Sequence, residues 1–131
     1  MKKALLLLCA VILAATTLTL TMTAADSAKK KTLRHVVNFK FKSSATEAQV
    51  QEVVDAFRAL KPKIPEIKSF EWGTNNSPEN LNKGLTHCFV LGFDSEADRA
   101  KYLPHPDHKA FGAKLGPILD DVMVIDYWTQ E

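Results

Sequence analysis

Leu33-Arg-His-Val-Val-Asn-Phe-Lys-Phe41 is a run in which apolar or aromatic side chains occupy nearly every second position. A period of two residues is typical of a β-strand with one buried face. The inward face of this run carries Leu33, His35, Val37, Phe39 and Phe41. The run therefore predicts a strand and places His35 on the side of the sheet that meets the core.

A helix is predicted immediately after this strand. Ser44-Ala-Thr-Glu47 has the spacing of a capping box, in which a hydroxyl and a carboxylate three residues apart satisfy backbone N–H groups at a helix start. Apolar residues then recur at helical spacing. The prolines at 62 and 65 should end the helix. The predicted buried stripe consists of Val50, Val53, Val54, Phe57 and Leu60.

Strands are predicted at residues 67–74, 85–93 and 121–128 from the same alternation. Ser95 to Tyr102 reads as a short helix, and Pro106 suits the first position of another, with His105 as a weak cap. The resulting order, β-α-β-β-α-β with the second α split, is typical of an α+β fold. It predicts a four-stranded antiparallel sheet with helices on one face.

The opposite face of that sheet should also carry apolar side chains. Val36 and Val90 point away from the helices by parity, together with Met123 or Val124, depending on the register of the last strand. An apolar sheet face without covering helices favours association with a second copy. We therefore expect a homodimer.

The first 25 residues have the layout of a secretory signal peptide. Met1-Lys2-Lys3 is basic, Ala4 to Met22 is mostly apolar, and Thr23-Ala24-Ala25 resembles a cleavage site. We therefore expect export to the periplasm or the extracellular space. The alternative is an uncleaved membrane anchor, because the apolar run is long enough to span a bilayer. The predicted organisation is a signal peptide at 1–25, a basic linker at 26–31 and one domain at 32–128.

The predicted mature chain is electrically balanced. The whole chain has 17 basic and 15 acidic side chains, and cleavage would remove Lys2 and Lys3. Zero net charge gives no electrostatic argument for nucleic-acid binding. Cys88 would be the single cysteine left, so an intramolecular disulfide is excluded, and its apolar neighbours predict a buried, inert thiol.

Residues that can exchange protons or bind a ligand lie close together in one segment, Tyr102-Leu-Pro-His-Pro-Asp-His-Lys-Ala-Phe111. It holds His105 and His108, while strand parity turns His35 and His87 toward the same helices. Histidine titrates near neutral pH, and tyrosine can donate a proton or a hydrogen bond. These residues could converge on one interior cavity. The alternative is that the histidines are core residues, hydrogen-bonded to Tyr102 or to the backbone, without function.

Two further interpretations of these residues remain open. His105, between two prolines, fits a turn or cap, and Asp126 could either orient an imidazole or be a solvated strand-end carboxylate. His105-x-x-His108 has zinc-ligand spacing, but no cysteine pair or HExxH motif accompanies it, so no metal site is predicted.

The chain resembles the stress-responsive dimeric α/β-barrel (Dabb) family over residues 32–128. The matching segments occur in order, and the histidine-proline segment is the most diagnostic of them. They are His35-Val-Val-Asn-Phe-Lys-Phe-Lys42, Phe70-Glu-Trp-Gly73, Gly84-Leu-Thr-His87, Tyr102–Phe111 and Val124-Ile-Asp-Tyr127.

The resemblance implies a ferredoxin-like fold whose sheets pack into a barrel across a dimer. Some members are stress-induced proteins without known chemistry, and one is a cofactor-free polyketide cyclase that performs an intramolecular aldol condensation. By this resemblance Tyr102 and His108 are the candidate catalytic residues, and His35, His87 and His105 are the candidate ligand-binding residues. No cofactor is implied.

Two functions are therefore expected. The first is an exported dimeric protein that binds a small, mainly apolar or carbonyl-containing ligand in a pocket of histidine and tyrosine. The second is a cofactor-independent cyclase or aldol-type enzyme, in which His108 is the base and Tyr102 stabilises the developing oxyanion. Export favours the first, because CoA-linked polyketides are cytoplasmic.

Overall fold

The computed structural model describes residues 30–130, and the predicted order of strands and helices is confirmed there. The predicted signal peptide, 1–25, and most of the predicted linker, 26–31, lie outside the described residues. The strands are β1 (Leu33–Phe41), β2 (Ser69–Thr74), β3 (His87–Phe93) and β4 (Leu119–Trp128). The helices are α1 (Glu47–Arg58), α2 (Leu60–Lys63), α3 (Glu96–Tyr102) and α4 (Pro106–Leu115), and a 3-10 turn (Gly116–Ile118) follows α4.

The four strands form one antiparallel sheet in the order β2-β3-β1-β4. Strand β1 is central, and its buried residues alternate with half-buried ones, as the sequence pattern predicts. His35 stands opposite Leu91 of β3 and Asp126 of β4, whereas His87 stands opposite Phe39. Both histidines therefore lie on the inward face, at different heights along the sheet.

The core lies between this face and the helices. Val53, Val54 and Phe57 of α1, together with Phe111 and Leu115 of α4, are buried against the inward side chains of β1 and β3. Tyr102, the last residue of α3, is fully buried in the same core. The apolar stripe read from the sequence is therefore the core-facing side of α1, except that its last member, Leu60, is the first residue of α2.

The start and end of the first helix differ from the prediction. The capping box is formed by Thr46 and Gln49, not by Ser44 and Glu47: the Gln49 N–H donates to the Thr46 hydroxyl, and the Thr46 N–H donates to Gln49 Oε1. Both pairs fit the same three-residue spacing, so spacing alone could not separate them. Pro62 does not end the helix but lies inside α2. A missing N–H is tolerated there because the first turn of a helix has no intrahelical acceptor for it.

The helix-free face carries the apolar side chains expected of it. The register places Ile125 opposite Val36 and Met123 opposite Asn38, so Met123 rather than Val124 belongs to this open face. Ile125 is 49% exposed and Met123 41%. In a single chain these apolar side chains remain in contact with water, which is consistent with the expected homodimer.

Cys88 also lies on the open face and is half-buried rather than fully buried. Burial and the negative charge of Glu71 raise the pKa of its thiol, which lowers the thiolate fraction at neutral pH. Among residues 30–130, none of the helices combines the length and the hydropathy needed to cross a bilayer.

Candidate functional site

Three of the predicted site residues meet at one end of the core. The ring of Tyr102 lies 4.3 Å from that of His108 and 5.7 Å from that of His35, measured between ring centroids. Tyr102 ends α3, His108 lies in the first turn of α4, and His35 projects from β1. The short turn between α3 and α4 therefore brings two helix residues over a histidine of the sheet.

The hydroxyl of Tyr102 is buried and has no hydrogen-bond partner among the described residues. A buried polar group without a partner costs about 1–3 kcal/mol, so such a group calls for an explanation. Burial, with a contribution from the negative charge of Asp126, raises the pKa of Tyr102 far above its usual value of 10.0. The phenol therefore stays protonated and can act as a hydrogen-bond donor.

His108 is held in one tautomer by the backbone. Its Nδ1 lies 2.9 Å from the carbonyl oxygen of Leu103. A carbonyl oxygen can only accept, so Nδ1 carries the proton and Nε2 has the free lone pair. Burial lowers the pKa of His108 below its usual 6.5. The hydrogen bond to Leu103 raises this pKa in part, and the neighbouring imidazoles of His35 and His105 lower it further. At neutral pH His108 is therefore an uncharged ring with a basic Nε2.

His35 is oriented by a carboxylate that also binds an arginine. Its Nδ1 lies 2.6 Å from Asp126 Oδ1, and the guanidinium of Arg99 contacts Asp126 Oδ2. Side-chain exposures are 8% for His35, 27% for Asp126 and 24% for Arg99, so a buried imidazole is held by two partly exposed charged groups. Such charge-assisted hydrogen bonds fix the ring of His35 and leave its Nε2 as the second nitrogen available to a ligand.

His105 and His87 occupy other positions. His105 is the N-cap of α4, where its Nδ1 accepts from the N–H of Asp107 at 3.2 Å, as the cap interpretation predicts. His87 is four residues from Leu91, the partner of His35, and lies about 13 Å from it along β3. There it packs edge-on against Phe41 and lies parallel to Trp72, beside a cleft of about 470 Å³ under the loop at 75–86. The structure therefore does not bring His87 to Tyr102.

Asp126 and Arg99 are the members of the cluster that the sequence did not identify as site residues. Asp126 was left open between an orienting and a solvated role, and its contact with His35 supports the orienting role. Arg99 precedes Tyr102 by three residues and so lies on the same side of α3. This spacing indicates a role for Arg99 only if Asp126 is already assigned to the site. In the described part of the chain, no group of three His, Cys, Asp or Glu side chains has the arrangement of a metal site.

The family model described as the Stress responsive A/B Barrel Domain matches residues 33–129. The chain belongs to this family. The stress-response A/B barrel domain-containing protein HS1 of Arabidopsis thaliana is 36% identical over 98 residues, covering 75% of this chain and 90% of that protein.

Two of the similar proteins are named as enzymes. Olivetolic acid cyclase of Cannabis sativa is 30% identical over 95 residues, covering 72% of this chain and 94% of the cyclase. The structure of a hydroxynitrile lyase from Passiflora edulis superposes with a TM-score of 0.73 at 27% identity, covering 78% of this chain and 96% of the lyase.

A structurally similar protein is dimeric, which is relevant to the apolar open face of the sheet. A dimeric ferredoxin-like protein from Thermobifida fusca superposes with a TM-score of 0.65 at 27% identity, covering 77% of this chain and 93% of that one. The ferredoxin-like fold predicted from the sequence is thereby confirmed, and dimeric neighbours support a homodimer.

Proposed function

We propose that this protein is a cofactor-independent enzyme that makes or breaks a carbon–carbon bond next to a carbonyl group. The observation that carries this proposal is the Tyr102 hydroxyl, a buried donor that has no partner within residues 30–130, beside an uncharged His108. A protonated phenol and a free imidazole nitrogen are the two groups that acid–base chemistry at a carbonyl requires.

In this proposal His108 is the base. For bond formation, Nε2 removes a proton from the carbon next to a carbonyl, and the resulting enolate attacks a second carbonyl carbon. The alkoxide formed at that carbon then takes the proton back from Nε2. For cleavage of a hydroxynitrile, Nε2 removes the hydroxyl proton, the carbonyl forms as the bond to the nitrile carbon breaks, and the proton passes to the departing cyanide. Both directions return His108 to its uncharged form.

Tyr102 would donate its hydrogen bond to the oxygen that gains negative charge. A donor already buried and oriented stabilises such an oxygen without reorganisation, which is the general basis of oxyanion stabilisation. His35, held by Asp126 and Arg99, would present Nε2 to the same ligand and fix the position of the ligand beside Tyr102 and His108. His35 is therefore a ligand-binding residue in this scheme, and Asp126 and Arg99 are positioning residues.

The relatives support this reaction class. One similar protein is named as a cyclase and another as a hydroxynitrile lyase, and these names denote ring formation and cleavage of a hydroxynitrile. Fold alone does not fix function, so the Tyr102–His108 pair, and not the superposition, supports this reaction class.

The experiment uses two readouts with small substrates: exchange of the α-protons of acetone in D₂O, followed by NMR, and cyanide release from acetone cyanohydrin. Tyr102→Phe and His108→Gln should each lower the rate about 10²–10⁴-fold. The matched control is Tyr127→Phe, because Tyr127 is the other tyrosine and lies on the open face. Wild-type rates equal to those of the buffer in both assays would contradict the proposal.

A ligand-binding protein without turnover is the second candidate, and complete burial favours it. Tyr102 is 0% exposed, so a ligand that reached its hydroxyl would be enclosed by protein. Slow release suits binding more than catalysis. Saturable binding of acetone without exchange or cyanide release would select this candidate.

The proposal also covers the oligomeric state and the cellular location of the protein. The chain is proposed to act as a homodimer joined through the open face, and to be exported after cleavage of residues 1–25. The apolar side chains of that face support the first, and the order of basic, apolar and small residues at the N-terminus supports the second.

A further inference from the structure

A cluster of phenylalanines fills the core beside the proposed catalytic pair. Phe57 stacks on Phe111 with 4.3 Å between ring centroids and lies 4.7 Å from Phe89, which in turn lies 5.2 Å from Phe39. Phe70 packs edge-on against Phe57 at 5.3 Å. The exposures of Phe39, Phe57, Phe89 and Phe111 range from 0% to 5%, so these four rings are shielded from solvent, whereas Phe70 is half-buried.

The cluster reaches the pair through Phe111. Phe111 follows His108 by three residues on α4, so the two side chains share one side of the helix, with 6.2 Å between ring centroids. On the far side, Phe93 lies 5.2 Å from Tyr102 and 6.3 Å from His35. Aromatic rings therefore border the pair both toward the centre of the core and along the sheet.

Access from solvent is on the side of His108. His108 is half-buried, and Leu103, whose carbonyl it binds, is 47% exposed. A molecule that entered past the turn between α3 and α4 would meet the half-buried ring of His108 before the fully buried ring of Tyr102. Beyond them it would meet the ring of Phe111. Protein interiors are packed as densely as organic crystals, so a longer chain could advance only by displacing these rings.

We propose that the site accepts short-chain aldehydes, ketones and hydroxynitriles and excludes substrates with a long alkyl or acyl tail, with Phe111 as the residue that sets the limit. This inference rests on the proposed function, because it names the substrate class of the same site. An extended polyketide chain is thereby excluded as the substrate.

The test compares Phe111→Leu with Phe70→Leu. Both replace a phenylalanine of the same cluster, but Phe70 has its ring contacts with Phe57 and Phe89 and not with His108. Binding of acetone and of 2-octanone is measured by titrating the ring resonances of His108, which requires no turnover. Exchange of their α-protons is then measured for the same variants.

Wild-type protein should bind acetone more tightly than 2-octanone, and Phe111→Leu should shift the ratio toward 2-octanone by about tenfold or more. Phe70→Leu should leave the ratio unchanged. If Phe111→Leu does not fold, Phe57→Leu removes the ring stacked on Phe111 and should shift the ratio in the same direction.

Equal binding of both ketones by the wild type, binding of neither, or an unchanged ratio in a folded Phe111→Leu would overturn the size limit. These outcomes are distinct from failure of the proposed function. Loss of that function alone would appear as size-selective binding of acetone with no exchange.

Discussion

The rings of Tyr102 and His108 lie 4.3 Å apart, yet neither residue satisfies the other's polar atoms within the described structure. The Tyr102 hydroxyl has no partner, and His108 directs Nδ1 to the carbonyl of Leu103. In a purely structural pair, the hydroxyl would be expected to bond the imidazole or the backbone. The packing of these two rings therefore leaves a donor and an acceptor available to a third molecule.

Removing the hydroxyl should separate stability from activity. Tyr102→Phe keeps the ring and deletes a buried polar atom that has no partner in the described part of the chain. The free energy of unfolding should therefore rise by about 1 kcal/mol or stay the same. Turnover or ligand binding should fall at the same time. Urea denaturation of Tyr102→Phe and of the control Tyr127→Phe checks this. A loss of more than about 1 kcal/mol in Tyr102→Phe alone would mean that the hydroxyl has a structural partner.

The lowered pKa of His108 predicts the pH dependence of both activity and stability. The base form is lost as the pH falls through the folded-state pKa, below 6.5, so activity should decline there. Between that pKa and 6.5 the unfolded chain binds more protons, so the free energy of unfolding should fall as the pH falls through this window and then level off. Denaturation curves across the window, compared with His108→Gln, measure this contribution.

His87 has to be separated from His108 in that measurement. Burial lowers the pKa of His87 as well, so it contributes to stability with the same sign. His87→Gln should remove part of the pH dependence of stability and leave the pH profile of activity intact. An activity profile that changed with His87→Gln and not with His108→Gln would reverse the assignment of the base.

Arg99 should act on the site through Asp126. Arg99→Gln removes the cation that holds Asp126 Oδ2, so the His35 ring loses part of its orientation. A hydrogen bond to a charged group is worth about 1.5–3 kcal/mol, which corresponds to a ten- to hundred-fold loss in kcat/KM. Arg99→Lys should restore part of the loss, since it keeps the charge. Equal kcat/KM in all three proteins would show that the contact has no part in the reaction.

The dimer interface can be located with two substitutions on one strand. Ile125 and Val124 are neighbours on β4, with 49% and 51% exposure, but Ile125 lies on the open face and Val124 on the helix side. Ile125→Asp should convert the dimer to monomers at micromolar concentration, measured by sedimentation, and Val124→Asp should leave the dimer intact. Dissociation by Val124→Asp alone would place the interface on the other side of the strand.

Export is tested by the mass of the native protein. Cleavage after Ala25 would give a chain that starts at Asp26 and is recovered outside the cytoplasm. Intact protein that retains Met1 in the membrane fraction would support the anchor instead.

Strand parity predicted which face each histidine occupies, but not how far apart the histidines lie. Alternation placed His35 and His87 inward, and both positions are confirmed. The distance between them depends on the pairing register of β1 with β3 and on where the helices cross the sheet. Both are long-range features that a period of two does not encode. His87 was therefore predicted on the correct face and at the wrong end of it.

The contacts that orient His35 depend on packing between distant segments. Asp126 is 91 residues from His35, and Arg99 is 27 residues from Asp126. In the sequence, a carboxylate near the end of a strand is as compatible with a solvated position as with an imidazole partner. The strand and helix patterns, by contrast, are local, which is why the order of elements and the core stripe of α1 could be predicted.

Strand β4 carries the candidate site on one face and the proposed interface on the other. Asp126, which orients His35, lies between Ile125 and Tyr127, which belong to the open face. Any shift of this edge strand on association would therefore move the carboxylate as well. Thermodynamic linkage makes the effect mutual: if pairing of two chains tightens ligand binding by some factor, the ligand tightens pairing by the same factor. Ligand affinity would then vary with protein concentration across the monomer–dimer transition.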